Sequence, residues 1–257
     1  MSTLAKQAAV GAAGVITALG AWQYAAVGPL AGSPLPPATD AIAAAVGLLG
    51  TADLWSAVAS TLAMALGGLA LAAVVGIAVG IGIGTSPLAL HATRVPLEFL
   101  KPIPPIVILP VVVLVLGPTA SMGIFLVFFG CVFAIAMQTS AGVFDTDPVA
   151  LATSRSYGMG RGEILLRVVL PSSLPYVGTA MRVAAPTALI VAVVAGLLGG
   201  GPGLGQSLLL AQLSGSRTAL FAYVLILGAL GLVVAGVSQW AERRLLHWHP
   251  QYREGAR

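Results

Sequence analysis

Charge is what this chain has least of. Only 8% of its 257 residues are Asp, Glu, Lys or Arg, while 58% are hydrophobic. A soluble domain carries about 25% charged residues, and a water-facing surface cannot be covered with so few. The deficit excludes an ordinary soluble protein and makes a lipid bilayer the solvent that fits. Cysteine is nearly missing too. The single Cys131 lies in an apolar run, so no disulfide can form within the chain and the thiol reads as a small core residue. The three histidines offer no metal site, because His247 and His249 stand two apart and His91 is remote from both. Paired carboxylates, a Ser/His/Asp set and a His-Glu-x-x-His helix are all lacking, which leaves enzyme chemistry without residues. No Gly-Lys-Ser/Thr follows a glycine-rich loop, so the chain has no nucleotide-binding loop of its own. The net charge of +4 comes from scattered Lys and Arg without a basic stripe, which argues against nucleic acid as a partner.

What is present in quantity is uninterrupted apolar sequence. A membrane-spanning helix needs about 20 mostly apolar residues, and six segments qualify: 8–28, 57–84, 96–117, 121–143, 176–198 and 218–240. The chain therefore reads as an all-α polytopic membrane protein forming a single transmembrane domain. The first span follows Lys6 and exceeds the about 7–15 apolar residues of a signal-peptide core, so it is expected to be retained. The third is short counted from Pro102. It is expected to begin near Pro96, tilted or with a broken first turn, because Pro102, Pro104, Pro105 and Pro110 disturb its start. Gly76, Gly80, Gly82 and Gly84 read as a packing face of the second span. Between the first two spans, Asp40 to Leu49 reads as a short surface helix with Asp40 as its cap.

Positive charges test the orientation. With the N-terminus in the cytoplasm, Lys6, Arg94, Lys101, Arg155, Arg161, Arg167, Arg243, Arg244, Arg253 and Arg257 fall inside. Arg182 lies near the inner start of the fifth span, and only Arg217 falls outside. This asymmetry predicts that both termini are cytoplasmic.

The segment 145–171, between the fourth and fifth spans, is a polar island long for a helix–helix connection. Asp147-Pro148 reads as a helix start, with the aspartate as N-cap and the proline in the first turn. A short helix is expected to about Tyr157, with Gly158 stopping it. A second helical stretch from Gly162 to Val169 carries Glu163 and Arg167 four apart, able to pair, and Pro171 is expected to end it. By itself the pattern fits either a surface connector or a docking element.

The latter part of this island resembles a family signature. Gly158, nine further residues, then Val168-Val169-Leu170-Pro171 match the Gly-to-Leu-Pro half of the EAA signature. That signature marks the membrane subunits of bacterial ATP-binding-cassette importers. Leu97 to Pro104, Gly203-Leu204-Gly205 and Glu242-Arg243-Arg244 with Trp248 are similar to the nitrate, sulfonate and taurine permeases of that group, so the resemblance spans about residues 34–250. It implies a type I importer permease fold and a non-catalytic subunit of the bacterial inner membrane. The subunit would form the path for a small polar or anionic solute. It implies as partners a pair of ATPase subunits holding ATP and Mg, a second permease copy or paralogue, an external substrate-binding protein and the surrounding lipid, with no cofactor bound by this chain. Carried over by position, Ala150, Leu151, Ala152, Ser154, Arg155 and Tyr157 would form a coupling helix that docks on the ATPase. Gly158 would be its turn, and Leu170 and Pro171 the return to the membrane. The chain departs from the signature at Ala152-Thr153-Ser154, where Glu-Ala-Ala is usual, at Gly196, where relatives often carry glutamate, and at Leu189, where they often carry tryptophan.

Polar residues within spans are candidates for the solute path. Gln138, Thr139, Arg182 and Thr187 qualify, each also readable as a packing hydrogen bond or interfacial anchor. The competing expectation is a secondary transporter or channel subunit working alone, which usually shows inverted repeats; no repeat is visible.

Overall fold

The computed structural model describes the backbone of residues 3–247 and the side chains of 9–247 other than Arg94. Trp248, His249, Arg253 and Arg257 lie outside the described residues. Those described are almost all helical: α1 Thr3–Val27, α2 Ala38–Leu49, α3 Ala52–Gly84, α4 Pro87–Leu100, α5 Pro105–Leu116, α6 Ala120–Phe144, α7 Pro148–Ser156, α8 Arg161–Ile164, a π-helical turn Leu165–Val169, α9 Leu170–Gly199, α10 Leu204–Leu213 and α11 Arg217–Leu245. Five helical stretches are long and apolar enough to cross a bilayer, and a sixth arises if α4 and α5 count as one broken span.

The chain divides into two compact units. The first comprises Met1–Ser56 and Ser207–Ala229. Here the proline-rich stretch after α1 is pinned by side chains. The Trp22 indole donates to Pro36 O at 3.0 Å and packs beside Phe221, the Gln23 side chain accepts from Thr39 N, and Arg217 donates to Ser33 O. Asp40 does not cap α2. Pro37 is the N-cap, and Asp40 N already donates to Pro37 O, which places the carboxylate inside the first turn. There it can still act favourably on the helix dipole.

The second unit, Ala57–Gln206 with Leu230–Arg257, is organised around α6. On one side lies the small-residue stripe of α3: Gly68, Ala72, Gly76, Gly80 and Gly84, each four residues from the next. A Cβ added to Gly68 would stand 2.5 Å from Val127 Cβ, one on Gly80 2.6 Å from Ala136 O, and one on Gly84 2.6 Å from Val143 Cβ. Gly82 meets nothing within 4 Å and lies off this stripe, unlike the other three glycines of the expected packing face. In the same core α9 offers Ala180, Ala184, Ala188 and Ala192, buried with Val127, Cys131 and Ile135 of α6. Lipid is as apolar as a helix surface, so helices in membranes associate through close packing, which small residues allow. The Cys131 thiol, within this core, lies 3.7 Å from Ala184 O as a donor.

Two proline clusters alter the expected boundaries. Residues 96–100 belong to α4, and α5 starts only at Pro105, the two helices meeting at 83°. The 96–117 span is thus a broken pair. Pro102, Pro104 and Pro105 withhold amide donors, and a residue before proline is driven out of helical geometry, as Pro104 shows with φ −66 and ψ 135. Pro171, by contrast, ends nothing. Helix runs continuously from Arg161 to Gly199, with a π turn just before the proline. Leu170 N donates to Leu165 O, five residues back, so the hydrogen-bond register has already slipped where Pro171 lacks an N–H. The hydroxyls of Ser172 and Ser173 donate to Val168 O and Leu170 O, serving carbonyls in the proline-rich turns.

After α9 the chain turns back sharply. Gly203 has φ +119, Leu204 is fully buried, and Leu204 N donates to the Thr61 hydroxyl at 2.9 Å. Thr61 in turn donates to Ala57 O. A Cβ on Gly205 would collide with the α9 backbone, meeting Val193 O and standing 2.6 Å from Leu197 N. Gly196 faces this crossing, with Gly205 Cα 3.2 Å from its notional Cβ.

Gly205→Ala is expected to lower the stability of the solubilised protein by at least the about 1–3 kcal/mol typical of overpacking. Gly82→Ala, in open space, should be neutral. Thermal unfolding of the two variants side by side checks the contrast.

Candidate functional site

The island 145–171 folds as a helix–turn–helix built from local interactions. Asp147 Oδ1 accepts from Val149 N at 2.8 Å and caps α7, with Pro148 in the first turn. Tyr157 closes the helix and Gly158 follows with φ +77, a conformation that favours glycine. Gly158 N donates to Arg155 O and Met159 N to Ser154 O, which satisfies two terminal carbonyls. In the second stretch Arg167 pairs with Glu163 at 3.0 Å.

The rest of the bundle holds this element by its apolar side. Ile164, Val169 and Val143 are buried together, with Leu151, Met159, Leu165, Val168 and Ile81 packed around them. Ser154 is also buried, its hydroxyl turned back to Ala150 O. The opposite face is open. Ala152, Arg155, Gly158 and Tyr157 are exposed, Tyr157 by 83%, and Val149 and Leu166 add apolar surface. Of the residues matched to the coupling signature, Leu151 and Ser154 therefore anchor α7, Ala150 is half-buried, and Ala152, Arg155 and Tyr157 face outward. Leu170 and Pro171 sit at the start of α9, beyond the π turn. A second clasp joins the ends of α6 and α9: the Tyr176 hydroxyl donates to Asp145 Oδ2 at 2.7 Å, and Tyr176 Cβ lies over Gly142.

The four polar residues of the spans are not gathered into one place. Thr139 is buried against Gly80 of α3, and the Thr187 hydroxyl donates to Val183 O of its own helix. Gln138 is half-buried on α6. Arg182 points elsewhere: its Nε lies 2.8 Å from Glu242 Oε2 on α11, and Thr179 Oγ1 donates to Glu242 Oε1 at 3.3 Å. Glu242 is 7% exposed. The pair borders a cavity of about 620 Å³ lined mainly by leucine and valine of α3, α9 and α11. Sequence reasoning noted Glu242 only as part of a C-terminal motif. The signal that points to the pair is that a cation in an apolar helix requires a partner.

The profile of the family described as "Binding-protein-dependent transport system inner membrane component" matches residues 72–247. The chain is similar to a probable ABC transporter permease of Brucella melitensis biotype 1, 29% identical over 214 residues covering 83% of this chain and 87% of the relative. It is similar to the nitrate import permease of Leptolyngbya laminosa, 30% identical over 180 residues, 70% of this chain and 64% of the relative. It is also similar to the taurine transport system permease of Escherichia coli K12, 28% identical over 198 residues, 77% of this chain and 72% of the relative. Among solved structures, an inward-facing MetNI methionine ABC transporter chain matches with a TM-score of 0.64 at 20% identity, over 76% of this chain and 95% of the other. That likeness concerns the fold.

Gly158→Ala should cost about 1–2 kcal/mol locally, because a left-handed conformation is imposed on a residue with a Cβ. Gly160→Ala, at φ −70 with nothing within 4 Å, should cost little. Hydrogen exchange across 148–160 distinguishes the two, with faster exchange expected only for Gly158→Ala.

Proposed function

The chain belongs to the family of binding-protein-dependent transport system inner membrane components, and we propose that it is the path-forming permease subunit of an importer for a small anionic or zwitterionic solute, driven through segment 145–171 by an ATPase partner. The observation that carries the coupling assignment is the two-sidedness of that segment. Leu151, Ser154, Met159 and Ile164 seat it on the bundle, while Val149, Ala152, Arg155 and Tyr157 present an apolar and cationic face. A short helix with one anchored face and one free face is suited to sit in a partner's groove and carry force. Absence of the signature glutamate leaves Arg155 to make the polar contact. The family match favours such a subunit over a carrier or channel working alone.

For the solute, the relatives named for nitrate, taurine and bicarbonate support a small anion or zwitterion. So does the chain itself: none of its eight acidic residues falls in the apolar runs 57–84, 105–116, 121–143 or 176–198, so a path built from them does not repel an anion. The position where relatives often carry glutamate is Gly196, packed against Gly205 and Gln206 with no room for a side chain unless the backbone shifts. The distribution of Lys and Arg supports a cytoplasmic side for both termini and for the 145–171 segment. ATP and Mg would be held by two ATPase subunits, the solute would be delivered by an external binding protein, and a second permease copy or paralogue would complete the path.

The test is affinity purification of the tagged chain from its native membrane. An ATP-binding-cassette ATPase should copurify and hydrolyse ATP. Arg155→Glu and Gly158→Asp should reduce its recovery at unchanged levels of the chain in the membrane. Purified chain that carries a solute on an ion gradient alone, without an ATPase, would refute the proposal.

A further inference from the structure

Glu242 is held in a slot cut into α9. Gly178, Thr179 and Arg182 lie on one face of that helix and meet Glu242 and Leu246, one turn apart. Arg182 supplies the counter-charge at 2.8 Å and the Thr179 hydroxyl a hydrogen bond. Gly178 supplies the space, since a Cβ there would stand 2.7 Å from Leu246 Cδ1 and 3.6 Å from Glu242 Cγ. Leu246 is 3% exposed, and its N–H donates to Glu242 O. A packing contact in a membrane protein needs none of this charge. The pair is half-buried, with the Arg182 side chain 41% exposed and that of Glu242 7% exposed; it is the acidic partner that loses its counter-charge in an enclosed place if the two are separated. The adjoining cavity is lined mainly by leucine and valine, so a carboxylate moved from Arg182 into it would exchange a counter-charge for apolar side chains. The pair therefore resists separation of α9 and α11 while leaving their joint movement free. Its position adds the second half of the argument: Arg182 stands on the unbroken helix Arg161–Gly199, which begins within the segment assigned to coupling.

We propose that Glu242 is a positioning residue that, through Arg182 and Thr179, ties the C-terminal end of α11 to the helix leading out of segment 145–171, so that α9 and α11 travel as one body during the transport cycle. The assignment rests on the importer reading above and adds to it a named device.

The experiment reads ATP hydrolysis by the full complex, this chain with its ATPase and second permease subunit, in proteoliposomes with ATP as the probe. Glu242→Gln should lower turnover about fivefold at unchanged assembly, the scale of a coupled pair. The exchange Arg182→Glu with Glu242→Arg should recover it to within about twofold. Thr179→Cys with Glu242→Cys should be slow when free and recover when joined by a short bifunctional thiol reagent, because a covalent tie replaces the ionic one. A merely structural contact gives no such recovery at constant assembly. Unchanged turnover in Glu242→Gln overturns the proposal, as does arrest of hydrolysis on crosslinking, which would mean that the two helices must part. Should Glu242→Gln fail to assemble, the crosslinking arm decides alone. If no ATPase accompanies the native chain, the importer reading falls and this assignment with it, whereas the other adverse results remove only the latter.

Discussion

The middle helix α6 is gripped by two helices whose contacting residues recur at every fourth position and are nearly all glycine or alanine. Gly68, Ala72, Gly76, Gly80 and Gly84 of α3 let that backbone come within van der Waals reach of α6, and Ala180 to Ala192 of α9 join them in one core. In a bilayer no water is released when such surfaces meet, so the attraction depends on how closely atoms approach. Everything else in the second unit hangs on this three-helix core. It places the end of α6 beside the start of α9, where Tyr176 and Asp145 meet, and so sets the two roots of segment 145–171.

The π turn at Leu165–Val169 gives that segment its mechanical character. It shifts the hydrogen-bond register just before Pro171, the first of the prolines at 171, 175 and 186 that the helix accommodates. With the register already slipped, helix continues from Arg161 to Gly199. The same helix carries the slot for Glu242. In the proposed coupling, a movement of α7 would pass to this helix through the packing of Leu151, Met159 and Ile164, and the tie to α11 would widen the body that moves.

Much of the candidate site was legible in the sequence because it is made of local interactions. The Asp147 cap, the Gly158 turn and the Glu163–Arg167 pair each involve residues a few positions apart, and each stands where residue type and spacing indicated. The failures share a different cause. Pro171 was misread because a π turn depends on backbone register, which residue type does not reveal. Asp40 was misread because Pro37 starts α2 three residues earlier. That Thr139 meets Gly80 is likewise beyond local rules, since none indicates which side of α6 meets α3.

Composition and local pattern alone determined that this is a helical membrane protein, roughly where its apolar helices run, and how segment 145–171 is shaped. Such features follow from the solvent a residue requires and from neighbours along the chain. Only the tertiary structure decided which faces meet: Thr61 with Leu204, 143 positions apart, Gly196 with Gly205 across a reversal, and Arg182 with Glu242. The physical reason is that a helix apolar all round carries no stripe to mark its inner face. In lipid the inner face is selected by shape, by small residues admitting large ones, and shape is complete only when both partners are in place.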